Sequence, residues 1–236
     1  MGKVVLIGGG DIGKNGKYET KIIDKKIVEI CNKKEPIMLF VGLASSYSDS
    51  YYDMIKKIYQ DLGCKTTYLK RKNLINNPDI VDKKIEDADI IYIGGGDTIK
   101  LIEDVYEFQL DKKLRNAYQR GTILVGMSAG AILLSKEGFS DSYILRNEST
   151  HYKFLKGLNI IHISICPHFD LNSMKEEELK KNLNQRRKMV YALENKTALL
   201  IEDNQIDVIK TKEEHIYLCY NKDSKYQIEE YKKEVK

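Results

Sequence analysis

Short apolar runs rich in β-branched residues alternate with stretches of helical spacing along most of this chain. Before residue 130 the predicted strands are Val4–Ile7, Ile37–Val41, Lys65–Leu69, Ile90–Ile93 and the run that starts at Thr122. Helical spacing falls between them, at Thr20–Cys31, 51–62, Asp79–Glu86 and about Thr98–Gln119. This alternation predicts an α/β fold of three layers, α/β/α, around a mainly parallel sheet.

The second half of the sequence is less regular. We predict a strand at Ile160–Ile165 and a charged helix from Ser173 to Leu193. Further strands follow near Ala198–Ile201, Ile206–Ile209 and Ile216–Tyr220, and their short connections favour antiparallel strands at one sheet edge. The charged tail from about residue 221 is expected to be exposed. No linker rich in Pro, Gly or Ser divides the chain, so one domain over residues 1–236 is the prediction.

Composition excludes several classes of function. The 236 residues carry a formal net charge of only +4, and the lysines are mixed with acidic residues, which argues against a nucleic-acid partner. No stretch reaches the ~18 apolar residues of a membrane span, and the apolar run after Met1 is too short for a signal peptide. We therefore expect a cytoplasmic protein without a membrane partner. The four cysteines are widely spaced, so neither a zinc site nor a disulfide framework is predicted.

The segment Thr122–Leu134 has the layout of a nucleophile elbow. A β-rich run breaks into Gly-Met-Ser-Ala-Gly at Gly126–Gly130 and then takes on helical character. A serine at such a turn is pushed out of the strand, and small neighbours let the helix pack close behind it. The helix N-terminus at Ala129 would direct backbone N–H groups at a developing oxyanion. The motif therefore favours acyl-transfer chemistry at Ser128.

Two strands end in glycine runs. The first, Gly8–Gly13, satisfies the G-x-G-x-x-G pattern, but no helix opens directly after it and no acidic ribose ligand follows the second strand, so a nicotinamide site is disfavoured. The second, Gly94–Thr98, ends the strand that precedes the elbow strand in sequence. Both loops are expected at one crevice, where the consecutive glycines would supply an oxyanion donor and Gly95 and Asp97 would line the substrate. Asp97 or Thr98 can also cap the helix that follows.

A serine nucleophile needs a base, and the chain has four histidines, at positions 151, 162, 168 and 215. His168 is the candidate because it follows an apolar strand, which would bring it to the crevice of Ser128. The imidazole in turn needs an acid. Asp141 gives the order Ser, Asp, His, whereas Asp170 is nearer in sequence, and spacing does not choose between them.

Four motifs in this order resemble the peptidase E family of serine peptidases, which includes aspartyl dipeptidases and cyanophycinases. They are Gly94–Thr98, Gly126–Ala131, Ser140–Ser142 and Cys166–Phe169. The resemblance covers roughly residues 4 to 203 and implies a class I glutamine amidotransferase-like (flavodoxin-like) fold. It also implies Ser128 as nucleophile, His168 as base, Asp141 as third member, and the N–H groups of Gly96 and Ala129 as oxyanion hole. Short peptides would be the substrate, with no metal or cofactor.

The sequence departs from the peptidase E pattern at two positions. Asp97 stands where the family has Asn, and Met127 precedes the serine in place of an aromatic residue. An N-terminal aspartate substrate would need a cation, for which Arg186 and Arg187 are candidates, although a solvated helix face also accounts for them. The resemblance is compatible with a homodimer, but no apolar stripe requires one.

Three alternatives to a peptidase stay open. The first is an amidotransferase-like amide hydrolase, although its elbow would carry Cys and its histidine would sit in H-x-E. The second is an esterase of the α/β-hydrolase type, in which acid and base normally follow further strands. The third is a binding or sensor protein that keeps the crevice without turnover.

Overall fold

The computed structural model describes residues 2–12, 17–184, 188–203, 205–210 and 213–233. Its first part alternates strands and helices in the predicted manner. The elements are β1 (Val4–Ile7), α1 (Lys21–Cys31), β2 (Ile37–Val41), α2 (Ser48–Asp61), β3 (Lys65–Leu69), α3 (Arg71–Asn76), α4 (Pro78–Asp87), β4 (Ile90–Ile93), α5 (Thr98–Glu107), α6 (Leu110–Gln119), β5 (Ile123–Met127) and α7 (Ala129–Leu134).

The second part contains more strands than the sequence pattern predicts. The elements are β6 (Ser135–Ser140), α8 (Ser142–Leu145), β7 (Lys153–Lys156), β8 (Ile161–Pro167), α9 (Met174–Asn184), β9 (Met189–Leu193), β10 (Thr197–Glu202), β11 (Gln205–Lys210), β12 (Ile216–Lys222) and β13 (Lys225–Glu230).

A seven-stranded sheet, the main sheet, forms the centre of the fold. Its strand order is β11-β10-β1-β5-β4-β2-β3. The strands β1 to β5 are parallel to one another, whereas β10 is antiparallel to β1 and β11 is antiparallel to β10, and these two strands close one edge. The predicted α/β fold with a mainly parallel sheet and antiparallel strands at one edge is confirmed.

Alternation along β1 shows why this sheet is covered on both faces. Val4 and Leu6 belong to one apolar cluster, which includes side chains of α4 to α7, and Val5 and Ile7 belong to the other, with side chains of α1 and α2. All four side chains are fully buried. A strand buried on both faces must be apolar throughout, as this one is. Because the strands are parallel, their carboxyl ends lie at one edge, where β1, β4 and β5 lead into glycine-rich or elbow turns.

A second sheet of six strands was not predicted. Its order is β13-β12-β9-β8-β6-β7, and it contains a parallel group formed by β6, β8 and β9. The carboxyl ends of these three strands lie side by side. Residues 194–196 then connect β9 to β10, so the chain passes from the second sheet directly into the main sheet.

The structure differs from two predictions in this region. The charged helix predicted from Ser173 to Leu193 covers Met174–Asn184, and its last predicted residues form the strand β9. The tail from about residue 221 has no buried residue among those described, as expected, but Lys225–Glu230 also pairs with β12 as the edge strand β13, which was not predicted. None of the helices within the described residues has the length and apolar character needed to cross a lipid bilayer.

A buried carboxyl group lies beneath the loop that follows β1. Asp24 of α1 is fully buried and accepts hydrogen bonds from Thr20 Oγ1 at 2.6 Å, Tyr59 OH at 2.9 Å and Tyr18 OH at 3.1 Å. Desolvation outweighs these three donors and raises the pKa of Asp24 from 3.8 to about 6. The folded protein therefore binds this proton more tightly than the unfolded chain does.

We expect Asp24 to make folding stability fall as the pH rises. Its contribution is fully present below pH 3.8 and is lost as the pH passes through about 6. A shift of this size corresponds to about 3 kcal/mol of unfolding free energy. Urea unfolding of wild type and Asp24→Asn between pH 4 and 8 measures it, since the difference between the two isolates Asp24. A difference that does not change with pH would contradict this expectation.

Candidate active site

Ser128 occupies a strained turn between β5 and α7. Its backbone has φ 52° and ψ −107°, an unusual conformation for a residue with a side chain. Its N–H donates to Ile7 O of β1 at 3.0 Å, which fixes the turn to the neighbouring strand. A Cβ at Gly126 would lie under 3.0 Å from the backbone of Gly130, so the glycines let the helix pack directly on the strand. The predicted elbow therefore has the expected geometry, with its hydroxyl partly exposed.

His168 lies against this hydroxyl. It directly follows β8, and its Nε2 is 2.6 Å from Ser128 Oγ, within the range for a base to take the serine proton. The backbone φ of His168, 144°, is also unusual. The N–H of the next residue, Phe169, donates to Leu193 O at 3.0 Å and so fixes this turn to β9. His168 is solvent-accessible on one side, but desolvation of the rest of the ring lowers its pKa, and the nearby Lys175 lowers it further.

The other ring nitrogen of His168 has a partner that sequence reasoning missed. Nδ1 lies 2.9 Å from Oδ1 of Asn195. Asn195 follows β9, which pairs in parallel with β8, so the two side chains leave adjacent strand ends. An amide oxygen at this place accepts a hydrogen bond from Nδ1–H and leaves Nε2 free to accept from the serine. The sequence feature that could have revealed Asn195 is the β-rich run Met189–Leu193 just before it, but the predicted helix to Leu193 includes this run.

The two predicted acids are close to His168 but do not bond to it. Asp141 follows β6 on the other side of β8, and Asp170 is exposed two residues after the histidine. Both raise the pKa of His168 through their charge, yet no hydrogen bond joins either carboxylate to the imidazole among the described residues. The direct partner of Nδ1 is thus Asn195, and the prediction of Asp141, or of Asp170, in that position needs this correction. Asp141 has no ion-pair partner within the described residues.

The second glycine turn lies beside Ser128. A Cβ built on Gly95 would be 3.3 Å from Ser128 Cβ, so the two turns are in contact. The Gly95 N–H donates to Tyr51 OH at 3.3 Å, which occupies that donor. Gly96 is exposed and has φ 139°, and its N–H has no acceptor among the described residues. Ala129 is the first residue of α7, where a backbone N–H has no partner inside the helix.

Asp97 takes the helix-capping role and not the predicted place at the substrate. Asp97 Oδ1 caps α5 by accepting from the N–H groups of Ile99 and Lys100, while Oδ2 accepts from Arg146 Nε at 2.7 Å. Arg146 also contacts Glu103. The carboxylate of Asp97 is therefore occupied in holding the turn, rather than free for a substrate. Arg186 and Arg187 lie outside the described residues.

One buried cation lies close to His168. Lys175 of α9 is 8% exposed, and its Nζ donates to Pro167 O at 2.5 Å. No carboxylate among the described residues is within ion-pair distance of it. Its charge acts on both His168 and the buried Cys166, which places it next to the end of β8. Sequence reasoning passed over Lys175 because it lies in a run of charged residues typical of a solvated helix.

The remaining histidines have local structural partners. His151 contacts Glu178, His162 contacts Asn159 and Lys136, and His215 contacts Glu230. In the part of the chain that the structure describes, no three His, Cys, Asp or Glu side chains come together in a way that could hold a metal ion.

The sequence matches a family model and named relatives over most of its length. The model described as Peptidase family S51 matches residues 4–209. An uncharacterized peptidase, YgaJ of Bacillus subtilis strain 168, is 32% identical over 172 residues, which are 72% of this chain and 70% of that protein. Peptidase E of Actinobacillus pleuropneumoniae serotype 5b strain L20 is 30% identical over 199 residues, covering 80% and 79% of the two chains.

Solved structures share the fold. A putative peptidase E protein from Listeria monocytogenes EGD-e matches with a TM-score of 0.67 at 20% identity, over 90% of this chain and all of that one. A peptidase from an acI-B1 actinobacterium matches with a TM-score of 0.70 at 22% identity, over 98% and 97% of the two chains. With the family model covering most of the chain around an elbow serine and its histidine, this chain belongs to peptidase family S51 and is a serine-type peptidase.

Proposed function

We propose that this chain hydrolyses short peptides through an acyl-enzyme on Ser128, with His168 as the base. The observation that carries the proposal is the 2.6 Å contact between Ser128 Oγ and His168 Nε2 at a strained elbow. Ser128 Oγ attacks the scissile carbonyl carbon while His168 takes its proton. His168 then returns the proton to the leaving amine, and water hydrolyses the acyl-enzyme by the same route.

The N–H groups of Gly96 and Ala129 are proposed as the oxyanion hole. Ala129 directly follows Ser128 at the start of α7, and Gly96 follows Gly95, which is in contact with Ser128. Neither is used by a neighbouring acceptor within the described residues. Donors that are already fixed and unpaired stabilise a developing negative charge without reorganising, which is why such pairs contribute strongly to acyl transfer.

Asn195 is proposed as the third member, in place of a carboxylate. Its Oδ1 accepts from Nδ1–H and so selects the tautomer in which Nε2 can act as base. A neutral amide orients the ring but supplies no full charge to stabilise the imidazolium. Asp141 and Asp170 supply charge from a greater distance, since both raise the pKa of His168 without bonding to it.

Two charged side chains favour a peptide with a free N-terminus and an acidic first residue. Asp141 is a carboxylate without an ion-pair partner in the described chain, and Lys175 is a buried ammonium whose hydrogen bond goes to a backbone carbonyl. Arg146 is less suited, because Asp97 and Glu103 already pair with it. We propose that Asp141 binds the α-ammonium of the substrate and Lys175 its side-chain carboxylate, which would make Asp-X dipeptides substrates.

The alternative is a hydrolase of the same fold that acts on a different amide or ester, or a binding protein without turnover. The hydrogen-bonded serine and histidine disfavour the second of these, because a binding site does not require that contact. The other alternative, a hydrolase of the same fold, differs from the proposal only in the substrate whose amide or ester bond is cleaved.

Cleavage profiling by mass spectrometry tests the proposal. A library of dipeptides and tripeptides, including Asp-X members, is incubated with wild type, Ser128→Ala and Lys175→Met. We expect cleavage by wild type and none by Ser128→Ala, with Lys175→Met losing acidic substrates selectively. Equal cleavage by wild type and Ser128→Ala would contradict the nucleophile. No cleavage by wild type, with intact labelling of Ser128 by a fluorophosphonate, would favour another amide or ester.

A further inference from the structure

The carboxyl end of β1 contacts both sheets at the point where the candidate catalytic residues meet. Ile7 O accepts the N–H of Ser128 at 3.0 Å on the main-sheet side. The N–H of Gly8 donates to Thr197 O at 2.9 Å, and Gly9 O accepts the N–H of Lys196 at 2.9 Å. These last two bonds hold the connector that carries Asn195. Residues 7–9 therefore join the serine turn to the connector between the two sheets.

Gly9 lies directly against the His168–Asn195 hydrogen bond. A Cβ built on Gly9 would come under 3.0 Å from His168 Nδ1, His168 Cε1 and Asn195 Oδ1. These are the two atoms of the hydrogen bond and a neighbouring ring atom. Real Cβ atoms do not approach other atoms so closely, so a methyl group here must move the imidazole, the amide or the backbone.

The neighbouring Gly10 shows the effect that backbone strain alone would have on a residue with a side chain. Gly9 has φ 153° and Gly10 has φ 136°, so a side chain is strained at both positions. A Cβ on Gly10, however, would meet only the Thr20 methyl at 3.1 Å, with other atoms at 3.6 Å or more. The two glycines thus share the same kind of backbone strain and differ in whether the imidazole fills the space beside them.

We propose that Gly9 is a positioning residue for catalysis. Because it has no side chain, it leaves the space in which the His168 imidazole packs and keeps its hydrogen bond to Asn195. This inference rests on the proposed roles of Ser128 and His168 and adds a residue to them. It also gives the first glycine run a use other than binding a dinucleotide. The ring is held between Gly9 and the hydroxyl of Ser128, so a group added at Gly9 displaces the base relative to the nucleophile.

The test compares Gly9→Ala with the matched control Gly10→Ala. The measurements are kcat and KM on the best peptide, the thermal unfolding temperature, and the NMR signal of the His168 Nδ1 proton. We expect both variants to lose stability from backbone strain, with a larger loss in Gly9→Ala because of the clash, while only Gly9→Ala loses the low-field Nδ1 proton signal. A misplacement of about 1 Å costs on the order of 100-fold in rate, so kcat of Gly9→Ala should fall by about this factor with KM nearly unchanged.

The outcomes separate this inference from the proposed function. Equal kcat and an unchanged Nδ1 signal in Gly9→Ala and Gly10→Ala would overturn it. The NMR signal reports the His168–Asn195 bond even if wild type cleaves no peptide, so failure of the substrate assignment does not decide the role of Gly9. If Gly9→Ala does not fold, the triple variant Gly9→Ala/His168→Gly/Asn195→Gly decides: recovered folding supports a clash with the His168–Asn195 pair, and no recovery contradicts it.

Discussion

Replacing His168 by Ala is expected to lower kcat/KM by about 10⁴- to 10⁶-fold, the range seen when a base that acts with a serine nucleophile is removed. The reason is geometric. Nε2 of His168 is the group bonded to Ser128 Oγ, and no other histidine of the described chain contacts that hydroxyl. Without it the serine keeps its proton and is a weak nucleophile. Steady-state kinetics on the best peptide, with circular dichroism to check the fold, measures the effect.

His162→Ala is the matched control for this prediction. His162 belongs to the same strand as the residues that lead into His168, but it is exposed and contacts Asn159 and Lys136. It should keep near wild-type kcat/KM. A loss of equal size in both variants would indicate damage to β8, and retained activity in His168→Ala would remove His168 as the base.

Replacing Asn195 by Leu is expected to lower kcat by about 10²- to 10⁴-fold, with a smaller change in KM. Leucine is similar in size but offers no acceptor to Nδ1–H, so the ring loses the contact that fixes its tautomer. A wrong tautomer in a serine triad costs about 10⁴-fold. Asn159→Leu, on an exposed turn away from the site, serves as control. Unchanged kcat in Asn195→Leu would show that the amide has no part in the chemistry.

Asn195→Asp changes the charge and keeps the acceptor. Burial lowers the pKa of His168 in the wild type, so its neutral, active form persists at lower pH than that of an ordinary imidazole. A carboxylate against Nδ1–H stabilises the imidazolium and raises this pKa. The acid limb of kcat/KM should therefore move to higher pH by about 1 to 3 units. A pH–rate profile of both proteins checks this, and an unmoved limb would contradict the contact.

The first half of the fold and the turn that carries Ser128 were predictable because their signals are local. The strands β1, β2, β4 and β5 are apolar runs, β3 is rich in β-branched and aromatic residues, and the run at β1 ends in glycine. A parallel sheet brings such strand ends together, which is enough to bring Ser128 beside the glycine turn at Gly95. His168 followed from the same rule applied to β8, although β8 belongs to the other sheet.

The third partner was not predictable because it depends on the order of strands in the second sheet. Asp141 and Asn195 follow β6 and β9, the two parallel neighbours of β8, and Asp170 is near His168 in sequence. Only the pairing of β8 and β9 decides which side chain reaches Nδ1. The charged sequence around residue 185 favoured a continuous helix, which concealed β9 and with it Asn195.

The edge strand β13 was missed for a related reason. Lys225–Glu230 has three charged residues of six, and such a segment has little tendency to form a strand alone. It forms one because β12 offers an unpaired edge, and its apolar Ile228 packs with Tyr226 against a small core around Phe139 and Phe169. Tertiary pairing here outweighs local composition.

The division of the site between two sheets has a consequence for when the site is assembled during synthesis. Ser128 lies between β5 and α7, whereas His168 and Asn195 follow it by 40 and 67 residues in the chain, and a domain generally folds as a unit. A growing chain thus contains the proposed nucleophile before the proposed base. The Ser128–His168–Asn195 arrangement is assembled only when the connector after β9 has joined the fold.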